Sequence, residues 1–198
     1  MASCTRQKLE EWLKTIEVKA GRVLDIGGSQ LLINKRVKSW EVDEALVLDL
    51  EIPHEEKFKS DIVCDLNYGL NSLSYNDTEK VGDRFDVAFC IEVSEYWFDP
   101  MKALNTINTL LKKGGILYIS FHFIYPVHNP VCQDYLRYTP VGCEKLLEES
   151  GFKIEELEPR KMSDYPKWFL FQNSEKMRPG KDYDMHDWAG VLIKAIKL

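Results

Sequence analysis

The chain has 198 residues, 44% of them hydrophobic and 29% charged, which suits one globular domain with a sizeable core and excludes wholesale disorder. Its net charge of −6, without a long Lys/Arg run, argues against a protein that grips nucleic acid through phosphates, because that requires a basic surface. No stretch is apolar and long enough to span a bilayer, the N-terminal segment is charged from Arg6 onward rather than signal-like, and Cys4, Cys64, Cys90, Cys132 and Cys143 form no C-x-x-C pair. The expectation is a cytoplasmic protein with no membrane contact, no disulfide framework and no metal site.

Residues Thr5 to Lys19 read as a helix with Leu9, Trp12, Leu13 and Ile16 on one face, broken at Ala20-Gly21. Arg22 to Ile26 is a first strand that runs into Gly27-Gly28-Ser29-Gln30. An apolar run ending in an acid and two glycines is how a buried parallel strand stops at a tight turn. The turn is either an ordinary strand end or the place where a nucleotide-like cofactor meets bare backbone. Leu31 to Trp40 is ambiguous between a short helix and an irregular turn. Ala45 to Leu50 is a second strand, stopped by Pro53, and Asp61 to Leu66 a third; each carries an acid near its end, Asp49 and Asp65. The polar stretch from Asn67 to Asp83 reads as a loop.

Phe85 to Cys90 is a fourth strand. Asp99 and Pro100 suit the N-cap and first position of a helix from Met101 to Leu111, which stops at Lys112-Lys113-Gly114-Gly115. Ile116 to Phe121 is a fifth strand, followed by an aromatic, proline-bearing loop from His122 to Tyr138. Thr139 and Pro140 start another helix that closes at Gly151. Phe152 to Glu158 and Gly190 to Lys197 complete seven strands, with a short helix possible over Tyr165 to Met177. Strands alternating with helices imply a three-layer α/β sandwich, Rossmann-like, with a mostly parallel seven-stranded sheet and helices on both faces. The last strand is expected to enter antiparallel, since no convincing long helix precedes it. One domain, 1–198, is expected: an N-terminal helix (1–19), a core (20–158) and a C-terminal insertion with the last strand (159–198).

Over roughly residues 20 to 155 the chain resembles the class I S-adenosylmethionine-dependent methyltransferases. VLDIGGSQ resembles their glycine-rich first motif, ALVLDLE the second strand, DIVCDL the third, and FDVAFCIEVSEYWFDPMKALNTINTLLKKGGILYISF the block from the fourth strand to the fifth. DYLRYTPVGCEKLLEESGF resembles a block of bacterial members associated with glycan biosynthesis. The resemblance implies S-adenosyl-L-methionine as cofactor. It implies that Asp25, Gly27, Gly28 and Ser29 hold the methionine end, Asp49 and Leu50 the ribose, Asp65 and Leu66 the adenine, and that Cys90, Ile91 and Glu92 lie under the sulfonium. Two positions depart from the family: Ser29 replaces a spaced glycine, and Tyr96 stands where many relatives carry His.

Methyl transfer to oxygen needs alignment and a proton acceptor. His122, His128 and Asp134 follow the fifth strand, and His128 is the favoured base, with Tyr125, Tyr135 and Arg137 shaping an acceptor pocket. A small-molecule or glycan acceptor is expected; the oligomeric state is left open. The competing readings are a non-catalytic binding scaffold and an NAD(P)-dependent oxidoreductase, the latter disfavoured by the missing spaced glycines.

Overall fold

The computed structural model describes residues 3–54, 57–74, 77–82, 84–161 and 188–198. The first element is α1 (Cys4–Leu13), capped by Ser3, whose Oγ accepts the Arg6 N–H at 3.2 Å. The sheet comprises β1 (Glu17–Ile26), β2 (Ser39–Asp49), β3 (Ile62–Val63), β4 (Phe85–Cys90), β5 (Leu111–His122), β6 (Phe152–Lys161) and β7 (Trp188–Lys197). Its order is β3-β2-β1-β4-β5-β7-β6; the first five strands run parallel, and β7 lies antiparallel to both β5 and β6. The expected C-terminal hairpin is therefore present. The possible helix over Tyr165–Met177 and the role of residues 162–187 lie outside the described residues.

Among the described residues two further α-helices follow, α2 (Pro100–Leu110) and α3 (Pro140–Glu149). Asp99 and Thr139 cap them as their sequences require: Asp99 accepts the Lys102 N–H at 3.0 Å, and Thr139 Oγ1 accepts the Gly142 N–H at 3.0 Å. Alternation along the strands builds two cores. Leu24, Ala88, Cys90, Leu117 and Ile193 face a core that includes Leu104, Ile107 and Leu147 of α2 and α3. Val23, Val87, Phe89, Tyr118 and Leu192 face the opposite way, onto Leu9, Trp12 and Leu13 of α1. Helices thus cover both faces of the sheet.

The first strand corrects the expected N-terminal boundary. The helix ends at Leu13, and Glu17 to Lys19 belong to β1, paired with Ser39, Trp40 and Glu41 of β2. Alternate exposure across 17–20 reveals the period of two, which the flanking charges disguise as the polar face of a helix. Residues 31–40 hold one short 3₁₀ turn, Ile33–Lys35. The third strand shrinks to two residues, because the segment after Val63 leaves the sheet to form the turns around Asp65. At the other end of α2, Lys112 to Gly115 form the irregular start of β5, with Gly114 at φ +76° and a slip in register against β4.

All five cysteines are free thiols, with Cys64, Cys90 and Cys143 buried. Among the described residues no helix is long and apolar enough to cross a membrane.

Candidate active site

In the strand order the chain path reverses between β1 and β4, and a cleft opens at the carboxyl ends there, where ligands of open α/β sheets bind. Its volume is about 320 Å³. Gly27 and Ser29 border it from the turn after β1, Asp49 and Leu50 from the end of β2, Asp65 and Leu66 from the loop after β3, and Glu92 from the end of β4. Seven of the expected cofactor residues thus share one cavity. Four do not reach its lining: Asp25, Gly28, Cys90 and Ile91.

Those four lie behind the cleft wall. Asp25 is buried, and its Oδ2 accepts the Ile33 N–H at 2.8 Å. Burial pushes its carboxyl up to about 7, against the pull of that hydrogen bond and of Arg36. A Cβ on Gly28 would stand 2.4 Å from the Asp25 Cγ, so Gly28 is glycine because this carboxylate packs beneath it. Gly27 has φ +74°, and a Cβ there would stand 2.5 Å from Val93 Cγ2. Both glycines therefore serve contacts within the chain, and only Gly27 also borders the cleft. Cys90 and Ile91 point into the two opposite cores.

Ser29, the departure from the usual glycine spacing, has a definite role. Its hydroxyl and its N–H both donate to Asp49 Oδ2, while Asp49 Oδ1 accepts the Leu50 N–H at 2.8 Å. This ties the turn to the end of β2 and presents the Asp49 carboxylate at the rim. Asp65 Oδ1 accepts the Asn67 N–H at 2.9 Å, which bends the chain back at the end of β3. Asn67 then bridges to the loop after β4, donating to the Tyr96 carbonyl at 3.1 Å and accepting the Phe98 N–H at 2.8 Å.

The opposite wall is aromatic. Tyr68, Tyr96, Trp97, Phe98 and Tyr135 line it, with Tyr68–Phe98 and Phe98–Tyr135 ring centroids each 5.7 Å apart, edge to face. His54 reaches over from the segment after β2, its Nε2 2.6 Å from Gln133 Oε1 and its ring 4.5 Å from Tyr96. Sequence reading missed His54, Asn67, Tyr96, Phe98, Asn129 and Gln133 as lining residues. The one available signal was the cluster of aromatics after β4.

Of the expected acceptor residues, Tyr135 lines the cleft, whereas Tyr125 and Arg137 do not. Arg137 braces its own loop, bonded to Asp134 and donating to the carbonyls of Tyr125 and Pro126. His128 is half-buried beside the cleft, near Tyr96 (6.3 Å between rings), and its Nδ1 lies 2.9 Å from Glu95 Oε1.

Glu95 and Glu92 belong to a buried polar cluster. Glu92 has φ +61°, a conformation uncommon outside glycine, and it turns the chain out of β4. Its Oε1 accepts from Arg160 Nη1 at 2.6 Å and from Ser120 Oγ at 2.9 Å. His122 Nε2 stands 3.2 Å from Glu92 Oε2 and 3.3 Å from Glu95 Oε1. Burial disfavours a charged His122, but the two carboxylates outweigh it and push the ring up to about 9. Glu92 is lowered in spite of its own burial by His122 and Arg160. His122 was legible only as a candidate after the fifth strand and Arg160 carried no signal; they arrive from strand ends 30 and 68 positions beyond Glu92, respectively.

The cleft suits a cationic, adenine-bearing ligand. Carboxylates of Asp49, Asp65 and Glu92 border it, aromatic rings form one wall, and among its described lining residues none is Lys or Arg. Residues 53–119 match the family model for a methyltransferase domain, a span that begins after the glycine turn and Asp49. Similar solved structures include an S-adenosylmethionine-dependent methyltransferase from Mesorhizobium loti, with 16% identity, 98% of each chain covered and a TM-score of 0.56. Another is the Burkholderia thailandensis 1,6-didemethyltoxoflavin-N1-methyltransferase, solved with its substrate and S-adenosylhomocysteine (17%; 98% of this chain and 76% of that one; 0.55). A Haloferax volcanii protein solved in complex with the Trm112 methyltransferase activator is also similar (15%; 98% and 89%; 0.59). No curated protein matches the sequence. Sheet order and the solved structures thus give this chain the fold of the S-adenosylmethionine-dependent methyltransferases, and residues 53–119 match the model of a methyltransferase domain.

Proposed function

We propose that this chain transfers a methyl group from S-adenosylmethionine to an oxygen of a small-molecule or glycan acceptor. The observation that carries the reading is the convergence of Asp49, Asp65 and Glu92 with the Gly27 turn on one cleft faced by aromatic rings. Bound there, the cofactor supplies an electrophilic methyl group on a sulfonium, displaced in line with return of the electron pair to sulfur.

The chain's residues supply position and charge. Asp49 offers its carboxylate oxygens to the ribose hydroxyls, having been aimed by Ser29 and the Leu50 amide. Asp65, beside Leu66, would accept from the adenine amino group. Glu92, held by Ser120 and Arg160, would set a negative charge near the sulfonium. The acceptor would enter on the Tyr96 and Tyr135 side, where His128, half-buried beside the cleft and held by Glu95 Oε1 at 2.9 Å, would take its proton. An oxidoreductase reading fits less well, because a dinucleotide's pyrophosphate would find no Lys or Arg among the described lining residues.

Calorimetric titration with S-adenosylmethionine, S-adenosylhomocysteine and NAD tests the reading, followed by assay of S-adenosylhomocysteine release over hydroxylated small molecules and glycans. Binding of the first two ligands and acceptor-dependent release are expected. Binding of NAD alone would replace the proposal with hydride transfer, and binding of none with a scaffold role.

A further inference from the structure

Glu95, His122 and His128 come from three separate segments: the turn after β4, the end of β5 and the loop beyond it. Their ligating atoms all lie within 4.8 Å of one another. Two of these side chains are almost fully buried, Glu95 at 0% and His122 at 1% exposure. Each also carries a buried polar atom without a hydrogen-bond partner, Glu95 Oε2 and His122 Nε2. Such orphaned atoms are rare in a folded protein and point to a missing partner.

The spacing identifies what kind of partner. His122 Nε2 is 3.3 Å from Glu95 Oε1 and 3.2 Å from Glu92 Oε2, close approaches that nevertheless lack hydrogen-bond geometry. His128 Nδ1 is 2.9 Å from Glu95 Oε1. Donors bound about 2.0–2.2 Å from one common ion lie roughly 3 Å apart, whether or not they align with each other.

We propose that Glu95, His122 and His128 form a binding site for a divalent first-row transition metal ion, beside the acceptor end of the cleft. A two-histidine, one-carboxylate set suits ions from Mn²⁺ to Zn²⁺. Glu92 stands next to the set as an additional carboxylate and, with Arg160, orients it. Tyr96, which packs near the His128 ring and lines the cleft, separates the ion from the acceptor pocket by one side chain. In the methyl-transfer reading, on which only this last role rests, the ion's charge lowers the pKa of the acceptor hydroxyl and makes His128 a ligand rather than a base.

The test is Co²⁺ titration of the metal-stripped full-length chain, read by visible absorption and by thermal unfolding, with no cofactor present. One ion per chain is expected, with d–d bands of nitrogen and oxygen ligation, no thiolate charge-transfer band, and a raised Tm. His128→Ala and Glu95→Gln should each weaken binding at least ~100-fold, since loss of a ligand exceeds the effect of an outer partner. His128 lies half-buried in a loop, so its variant remains informative if Glu95→Gln does not fold. Absence of one-to-one binding, or binding unchanged in His128→Ala, would overturn the site and assign the trio to a network closed by a proton. Cofactor binding is measured separately, so that result leaves the methyl-transfer reading standing.

Discussion

Replacing Asp25 by asparagine should stabilise the protein at neutral and alkaline pH. Burial raises the carboxyl to about 7 in the folded chain, from 3.8 when exposed. Between these values the folded state holds a proton that the unfolded state releases. Stability therefore falls as pH rises from about 4 to about 7, and is level above that. A shift of about 3 units corresponds to about 4 kcal/mol lost across this window, at 1.36 kcal/mol per unit. Asparagine is isosteric and keeps an oxygen to accept the Ile33 N–H. Its new amide N–H₂ costs about 1–3 kcal/mol if no acceptor is near. The net gain at pH 8 is then about 1–3 kcal/mol, shrinking and reversing toward pH 4. Urea unfolding of both proteins from pH 4 to pH 8 measures this directly. Parallel pH profiles, or a variant less stable at pH 8, would refute the claim that an ionised Asp25 is a burden on the fold. Calorimetry on the same variant adds the functional half: unchanged S-adenosylmethionine affinity would confine Asp25 to holding the turn.

Asp49→Ala should weaken S-adenosylmethionine binding about tenfold or more by calorimetry, the scale of a lost charge-assisted hydrogen bond; equal affinity would place the ribose elsewhere. His128→Ala should leave that affinity nearly intact while lowering turnover at least ~10-fold with a genuine acceptor, the smaller end of proton-transfer effects. Arg160→Leu should destabilise the fold by about 3–5 kcal/mol, because the buried Glu92 carboxylate would lose one of its two cationic neighbours and the Thr5 carbonyl its donor. Chemical denaturation checks that value, and a loss below about 1 kcal/mol would show that Glu92 finds another partner.

The sheet's central strands are visible in the linear chain because each is a short apolar run with a stop. Phe85–Cys90 matches its expected bounds residue for residue, and the caps Asp99 and Thr139 act as their side-chain chemistry demands. Boundaries were less visible where one pattern imitates another, as in Glu17 to Lys19, whose charges continue the polar rhythm of α1 while their backbone pairs with β2. The acids Asp49 and Asp65 were legible as residues of the cleft rim because one ends a parallel strand and the other follows one, and strand ends converge on one edge. Asp25 ends a strand too, but its carboxylate turns under Gly28 rather than outward, a difference of side-chain direction that no spacing encodes.

The amino-acid pattern alone determined the alternation of strands and helices, the capped helix ends and the row of acids at the carboxyl edge. These depend on local periodicity and on interactions a few residues apart. Tertiary structure decided which of those acids open on the cleft, why Ser29 can stand in for glycine, and how Glu95, His122 and His128 meet. Such contacts join residues as far apart as Glu92 and Arg160, 68 positions along the chain. Only the closing of the sheet brings such groups out of water and sets their charges against one another.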